Sequence, residues 1–163
     1  MIFASVGSML PFDRLVRAVD DWAAANRRVP VLIQIGDGTY QPRHADWVRM
    51  MPHDLYARRL AECTLFVAHV GIGSIFQALE ARKQLLMLPR LATLGEHTTD
   101  HQLHTVARFR DTPGLRVVEA VPDLHAEMTR LLDAPLATDG GVSPYASPAM
   151  TDRIRDFLDA SVN

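Results

Sequence analysis

T-L-F-V-A-H-V-G-I-G-S-I-F-Q-A-L-E-A-R-K-Q-L-L-M-L-P-R, residues 64 to 90, is the stretch whose reading decides the fold. Residues 65–68 are a short apolar run of the kind that forms a strand buried on both faces. A turn, Val70-Gly71-Ile72-Gly73-Ser74, follows at once, and Ile75, Leu79 and Arg82 then repeat at helical spacing. A second apolar run, 85–88, closes the unit before Pro89 stops it. Strand, Gly-rich turn, helix and strand make a βαβ crossover. That places the turn at the carboxyl edge of a parallel sheet, where open α/β sheets bind ligands. Gly71 and Gly73 let backbone approach a ligand with no Cβ in the way. Ser74 is expected to cap the helix, whose free N–H groups and dipole favour a phosphate. A lone G-x-G also serves as a tight connection with no ligand, so the turn alone leaves both readings open.

Outside this unit, composition bounds the answer. The chain of 163 residues fits one domain able to bury a real core. With 48% apolar and 22% charged residues it reads as globular rather than disordered. A net charge of −2 and a sequence pI near 6.4 supply no basic field for nucleic acid. The single Cys63 excludes an internal disulfide and is expected to pack in the core. No run approaches the roughly 18 apolar residues of a membrane span, and Met1-Ile2-Phe3 leads straight into a strand. A cytoplasmic protein is the expectation.

Taken in order, residues 2–6 read as the first strand, and Gly7-Ser8 as a turn. Pro11-Phe12 leads into a helix with Leu15, Val16, Val19 and Trp22 on one face, ending near Asn26. Residues 31–35 form the second strand and run into Gly36-Asp37-Gly38, so both early strands finish in glycine-bearing loops at one sheet edge. Residues 47–51 read as a short third strand, with a helix capped at Pro52-His53-Asp54 and running through Leu60. His44 and His53 have no partner at metal spacing and read as surface or structural residues. After the central unit come a loop at 90–98, a helix at 99–109, a strand at 115–118 and a helix at 122–132. The segment 134–148 is rich in Pro, Gly, Ser and Ala, an extended crossover or linker. Thr151 is expected to cap a last helix carrying Ile154, Phe157 and Leu158. The whole predicts an α/β doubly wound parallel sheet of about six strands, Rossmann-like. Its first strand lacks G-x-G-x-x-G, and the chain has no G-x-x-x-x-G-K-[ST], which speaks against dinucleotide and P-loop chemistry.

H-V-G-I-G-S-I-F-Q-A-L at 69–79, L-L-M-L-P-R at 85–90 and E-H-x-x-D-x-Q at 96–102 resemble the C-terminal, donor-binding domain of family 28 glycosyltransferases. F-A-S-V-G-S at 3–8, with Pro11, Phe12 and Leu15, and I-Q-I-G at 33–36 fit the same family, so the resemblance covers about residues 1–130. The chain is most similar to the small stand-alone members. These are the soluble catalytic subunit of the dolichyl-diphosphate N-acetylglucosamine transferase and its bacterial exopolysaccharide relatives. In larger members, such as the lipid II-forming transferase, the domain is half of a two-domain GT-B enzyme.

The resemblance implies site residues. Gly71, Gly73 and Ser74 would sit at the diphosphate of a UDP-sugar, with the helix N-terminus in place of a metal ion and no cofactor. The family usually has an acidic residue, which binds the ribose, where Gln77 stands. Glutamine still accepts a hydrogen bond there but lacks the charge that strengthens one. His97, Asp100 and Gln102 match the segment that contacts the donor sugar, though Asp100 would also serve as a helix cap. Gly7 and Ser8 match the first loop, facing the interdomain cleft. Arg82-Lys83-Gln84 departs from the family's x-G-K-P and is expected to affect the helix end rather than the chemistry.

Domain organisation and partners follow as expectations. Residues 1–133 would form the nucleotide-sugar-binding domain. Residues 134–163 would form an extended segment and a helix packed on that domain or on a partner. Inverting transfer needs a general base and an acceptor pocket, which no motif here supplies. The implied assembly is therefore a peripheral complex at the inner membrane face. In it a membrane-anchored partner subunit would bind a polyprenyl-diphosphate-linked acceptor, and the isolated chain could form a homodimer. Two other readings stand beside it: a non-catalytic nucleotide-sugar-binding or assembly subunit, and a UDP-sugar epimerase of GT-B type.

Overall fold

The computed structural model describes residues 1–99, 101–109, 111–138 and 145–162. Among the described residues the elements run β1 (Ile2–Ser5), α1 (Asp13–Ala25), β2 (Val31–Gln34), β3 (Asp46–Val48), α2 (His53–Glu62), β4 (Leu65–His69), α3 (Ile72–Glu80), β5 (Leu85–Leu88), α4 (His101–Phe109), β6 (Leu115–Val117), α5 (Val121–Asp133) and α6 (Pro148–Val162), with strands and helices alternating except that β3 follows β2 directly. The strands lie in the order β3-β2-β1-β4-β5-β6 and every pair is parallel. The strand order reverses between β1 and β4, which makes their carboxyl ends the topological switch point. Register then does the positioning. Ser5 pairs with Ala68, so the glycine loops that leave β1 and β4 emerge side by side.

The apolar strands are buried on both faces, and period-2 alternation explains how. Ile2, Ala4, Val67, Leu86 and Leu88 point to one side, against Leu15, Val16, Val19 and Trp22 of α1 and Leu124, Met128 and Leu131 of α5. Phe3, Phe66, Leu85 and Met87 point to the other, against Leu60 of α2 and Ile75, Ala78 and Leu79 of α3. The Phe3 and Phe66 rings stack at 5.6 Å, and Tyr56 meets Phe3 edge-on at 5.0 Å. Cys63 is buried as expected, and burial pushes its thiol up to about 11.

Several boundaries differ from the sequence reading. The third strand is β3, three residues that begin at Asp46 rather than Trp47; it lies at the sheet edge and pairs with β2 alone. Helix α3 starts two residues ahead of Ser74: Gly71 is its N-cap, in extended backbone, and no side chain caps it. The reason is local, since the Gly71 N–H folds back onto the His69 carbonyl at 2.8 Å and turns the chain early. Thr151 lies inside α6, where its hydroxyl donates to the Pro148 carbonyl. Every side chain described from 148 to 161 is exposed, Ile154, Phe157 and Leu158 among them. The apolar face of α6 is therefore not covered by the chain's own sheet. The linker before it falls partly on residues 139–144, outside the described residues.

The far end of α3 explains the Arg82-Lys83-Gln84 departure. Arg82 follows the C-cap at φ +51°, a left-handed position where helices usually place glycine. Gln84 is buried, donating to the Thr64 and Leu131 carbonyls and accepting from the Leu136 N–H. Relieving the left-handed strain with Arg82→Gly is expected to raise stability by about 0.5–1 kcal/mol. Urea denaturation would check it, and an unchanged or lower midpoint would refute it.

Candidate functional site

A cleft of about 530 Å³ opens at the carboxyl ends of β1 and β4. One wall is the loop after β1, from Gly7 to Leu10; the other is the first turn of α3 with Gln77 a turn further on. Met50, Met51, His53 and Tyr56 close one side, and Arg90, His97 and Gln102 the other. Of the residues singled out in the sequence, Gly7, Ser8, Gly71, Gly73, Ser74, Gln77, His97 and Gln102 all line this one cleft. Asp100 lies outside the described residues.

Ser74, at the third helical position, is buried, and the N–H groups of Ile72, Gly73 and Ser74 belong to the first turn of α3. Such groups have no carbonyl within their own helix and carry the positive end of its dipole. Gln102 lines the cleft yet is nearly sealed, its Oε1 accepting the Arg90 N–H at 3.0 Å. Its position thus ties the loop after β5 to the start of α4. His53 is exposed, as the sequence suggested for a surface residue, and it also borders the cleft.

The floor holds a residue to which the sequence reading gave no role. His69, at the end of β4, is fitted between two glycines. A Cβ at Gly71 would lie 2.2 Å from its Nε2, and a Cβ at Gly7 would lie 2.6 Å from its Cε1. Gly7 also adopts φ +81°, open to glycine at little cost. The His69 Nδ1 is sealed from solvent with no hydrogen-bond partner among the described residues. Burial, and after it the charges of Arg90 and His97, push this imidazole down to about 4, so it is neutral at physiological pH. The signal in the sequence was H-V-G, a histidine two residues before a glycine that has to admit its ring.

A polar strut supports the β1 wall. Ser5 Oγ donates to Gln34 Oε1 at 2.7 Å and accepts the Gly7 N–H at 3.1 Å. Gln34 Nε2 reaches the carbonyls of Gly7 and Arg49, tying the loops after β1 and β3 together. These buried polar residues at strand ends cost nothing in unmade hydrogen bonds and fix the glycine loop in place. The described lining of the cleft contains no carboxylate. Among the described residues no group of three His, Cys, Asp or Glu could hold a metal ion, and no helix is long and apolar enough to cross a membrane.

No protein-family model matches the chain, and no curated protein matches it. Solved structures do. MurG of Acinetobacter baumannii superposes with a TM-score of 0.61 at 17% identity, over 97% of this chain and 49% of its own. The glycosyltransferase of kitacinnamycin gives 0.60 at 18% identity, over 82% of this chain and 35% of its own. The glycosyltransferase SnogD of Streptomyces nogalater gives 0.53 at 20% identity with the same coverages. The fold is that of one half of a GT-B glycosyltransferase. The chain spans between a third and a half of the length of these neighbours.

Proposed function

We propose that the chain is the donor-binding and catalytic subunit of an inverting, metal-independent glycosyltransferase. It would move a sugar from a UDP-sugar to a lipid-diphosphate-linked acceptor in exopolysaccharide or glycan biosynthesis. The observation that carries this reading is the cleft at the switch point. There a glycine-bearing loop and the uncapped N-terminus of α3 face each other across a neutral, half-buried imidazole. Unpaired N–H groups and a helix dipole suit a diphosphate. In this assignment Gly71, Gly73 and Ser74 hold the diphosphate, Gln77 faces the ribose, and Gly7, Ser8, His97, Asp100 and Gln102 surround the sugar.

The acceptor half would come from elsewhere. The described lining offers imidazoles and no carboxylate to act as base. Met9, Leu10, Met50 and Ile72 expose apolar side chains around the mouth. Such a rim suits coverage by a second α/β unit, here a membrane-anchored partner subunit that would keep this chain at the inner membrane face. The exposed face of α6 is a second contact for that partner. A dimer of the isolated chain would bury the same rim.

Calorimetric titration with UDP, with ADP as control and with a chelator present, tests the donor site. Saturable UDP binding is expected, weakened about tenfold or more in Ser74→Ala through loss of a hydrogen bond to a charged group. Equal affinity of the variant and the wild type would remove Ser74 from the site. The neutral Gln77 also favours a second reading, a nucleotide-sugar-binding or assembly subunit without turnover. Transfer assays on the assembled complex separate the two, because transfer demands that Ser74→Ala and Gln102→Ala abolish activity while the complex still forms, and a pure scaffold tolerates both changes.

A further inference from the structure

Arg90, two residues beyond β5, is almost wholly buried. Its terminal nitrogens each donate to two main-chain carbonyls. Nη1 donates to Pro11 and Glu96, the latter at 3.2 Å, while Nη2 donates to Val6 at 2.8 Å and Leu10 at 2.6 Å. The guanidinium carbon lies 4.6 Å from the centre of the Phe12 ring. Because β1 and β5 flank β4, this side chain reaches past the end of β4 to hold the loop after β1 by both its ends. The four Nη hydrogens are committed, so none remains for a ligand.

Its charge is solvated by carbonyl dipoles, and among the described residues no carboxylate contacts it. The Glu96 carboxylate is engaged by Arg14 through two contacts of 2.7 Å and by the Leu91 N–H. Burial pushes the Arg90 guanidinium down to about 10, with Glu96 opposing, so it stays protonated at neutral pH. Among the described residues lining the cleft, Arg90 is the sole Lys or Arg.

We propose that Arg90 is the fixed cation of the cleft: a positioning residue that holds the loop after β1 in place and, through its field rather than its Nη hydrogen bonds, biases the cleft toward an anionic diphosphate. The proposal rests on the reading of the cleft as the seat of a nucleotide sugar. Its physical basis is that a charge buried behind the wall of a cleft is poorly screened, and the positive end of the α3 dipole adds to it. The neutral state of His69 is a local sign of that field, since Arg90 stands second only to burial among its causes.

Two titrations test the idea. UDP and uridine share a base and a sugar and differ in charge, so the ratio of their affinities reads the field. Arg90→Gln is expected to lower UDP affinity by about tenfold or more relative to uridine, through loss of one unit charge acting at an effective permittivity of about 20. Arg90→Lys keeps the charge and loses the fork, so both affinities fall together and the ratio is kept. Equal losses of both ligands in Arg90→Gln, or collapse of the ratio in Arg90→Lys, would overturn the proposal.

The second readout needs no ligand. The titration of His69, followed by NMR, is expected to move upward in Arg90→Gln and to stay in place in Arg90→Lys. His97 and Glu96 on the β5 side, and His53 and Tyr56 on α2, are unchanged in both variants. A His69 titration unmoved by Arg90→Gln would overturn the cation role. Should wild-type protein bind no UDP while His69 responds as expected, the nucleotide reading falls and the fixed cation stands.

Discussion

Gly71→Ala is expected to abolish UDP binding at the proposed donor site and lower stability, whereas Gly73→Ala, two residues on, is expected to weaken that binding and leave the fold intact. At Gly71 the new methyl would lie 2.2 Å from His69 Nε2 and 2.8 Å from its Cδ2. The ring cannot retreat freely, because Gly7 bounds it on the far side. Overpacking of this kind costs about 1–3 kcal/mol, and displacing His69 reshapes the cleft floor. UDP affinity should fall by at least about a hundredfold, or ~3 kcal/mol. At Gly73 no heavy atom lies within 4 Å of the added Cβ. The position is helical, so alanine should raise stability by about 0.5–1 kcal/mol. The same methyl stands where backbone would approach a diphosphate, so binding should weaken about tenfold or more. Thermal denaturation and UDP calorimetry on both variants check the contrast. A Gly73→Ala protein that binds UDP like wild type would show that the turn is not the phosphate seat.

That contrast also shows what the sequence made legible. The βαβ unit was readable because apolar runs on either side of a G-x-G leave few alternatives, and the switch point follows from strand alternation. Which glycine the packing requires and which it leaves open was not readable, since it depends on a ring packed between residues 7 and 71. The cap of α3 was misplaced because cap preferences favour serine, while the His69–Gly71 turn starts the helix earlier. Gln102 was recognisable as a cleft residue, but its bond to the Arg90 main chain was not. Arg90 and Asp20 escaped for one reason. A single sequence marks charged residues as solvent-facing, and the partners that make burial affordable are main-chain groups on distant loops.

Asp20→Ala should be among the most destabilising single substitutions in this chain. Asp20, inside α1, is fully buried; its Oδ2 accepts from Tyr40 OH and the Arg43 N–H, and its Oδ1 from the N–H groups of His44 and Ala45. The carboxylate thereby fixes the path of the chain into β3, which has few ladder bonds of its own. Removing it strands four donors, at an expected cost of about 3–5 kcal/mol. For a domain of this size that lowers the melting temperature by roughly 10 °C or more. Burial alone would raise the Asp20 pKa, but the donors from Arg43, Tyr40, His44 and Ala45 together hold it below 3.8. A carboxylate with a depressed folded value contributes stability that is fully present above its unfolded value and is lost as pH falls through the folded one. The wild type should therefore keep this contribution down to about pH 4 and lose it below. The Asp20→Ala protein should show a flatter acid limb below about pH 4. Urea midpoints across that range would test it. Parallel acid limbs in the two proteins would mean that another carboxylate, not Asp20, sets the acid stability.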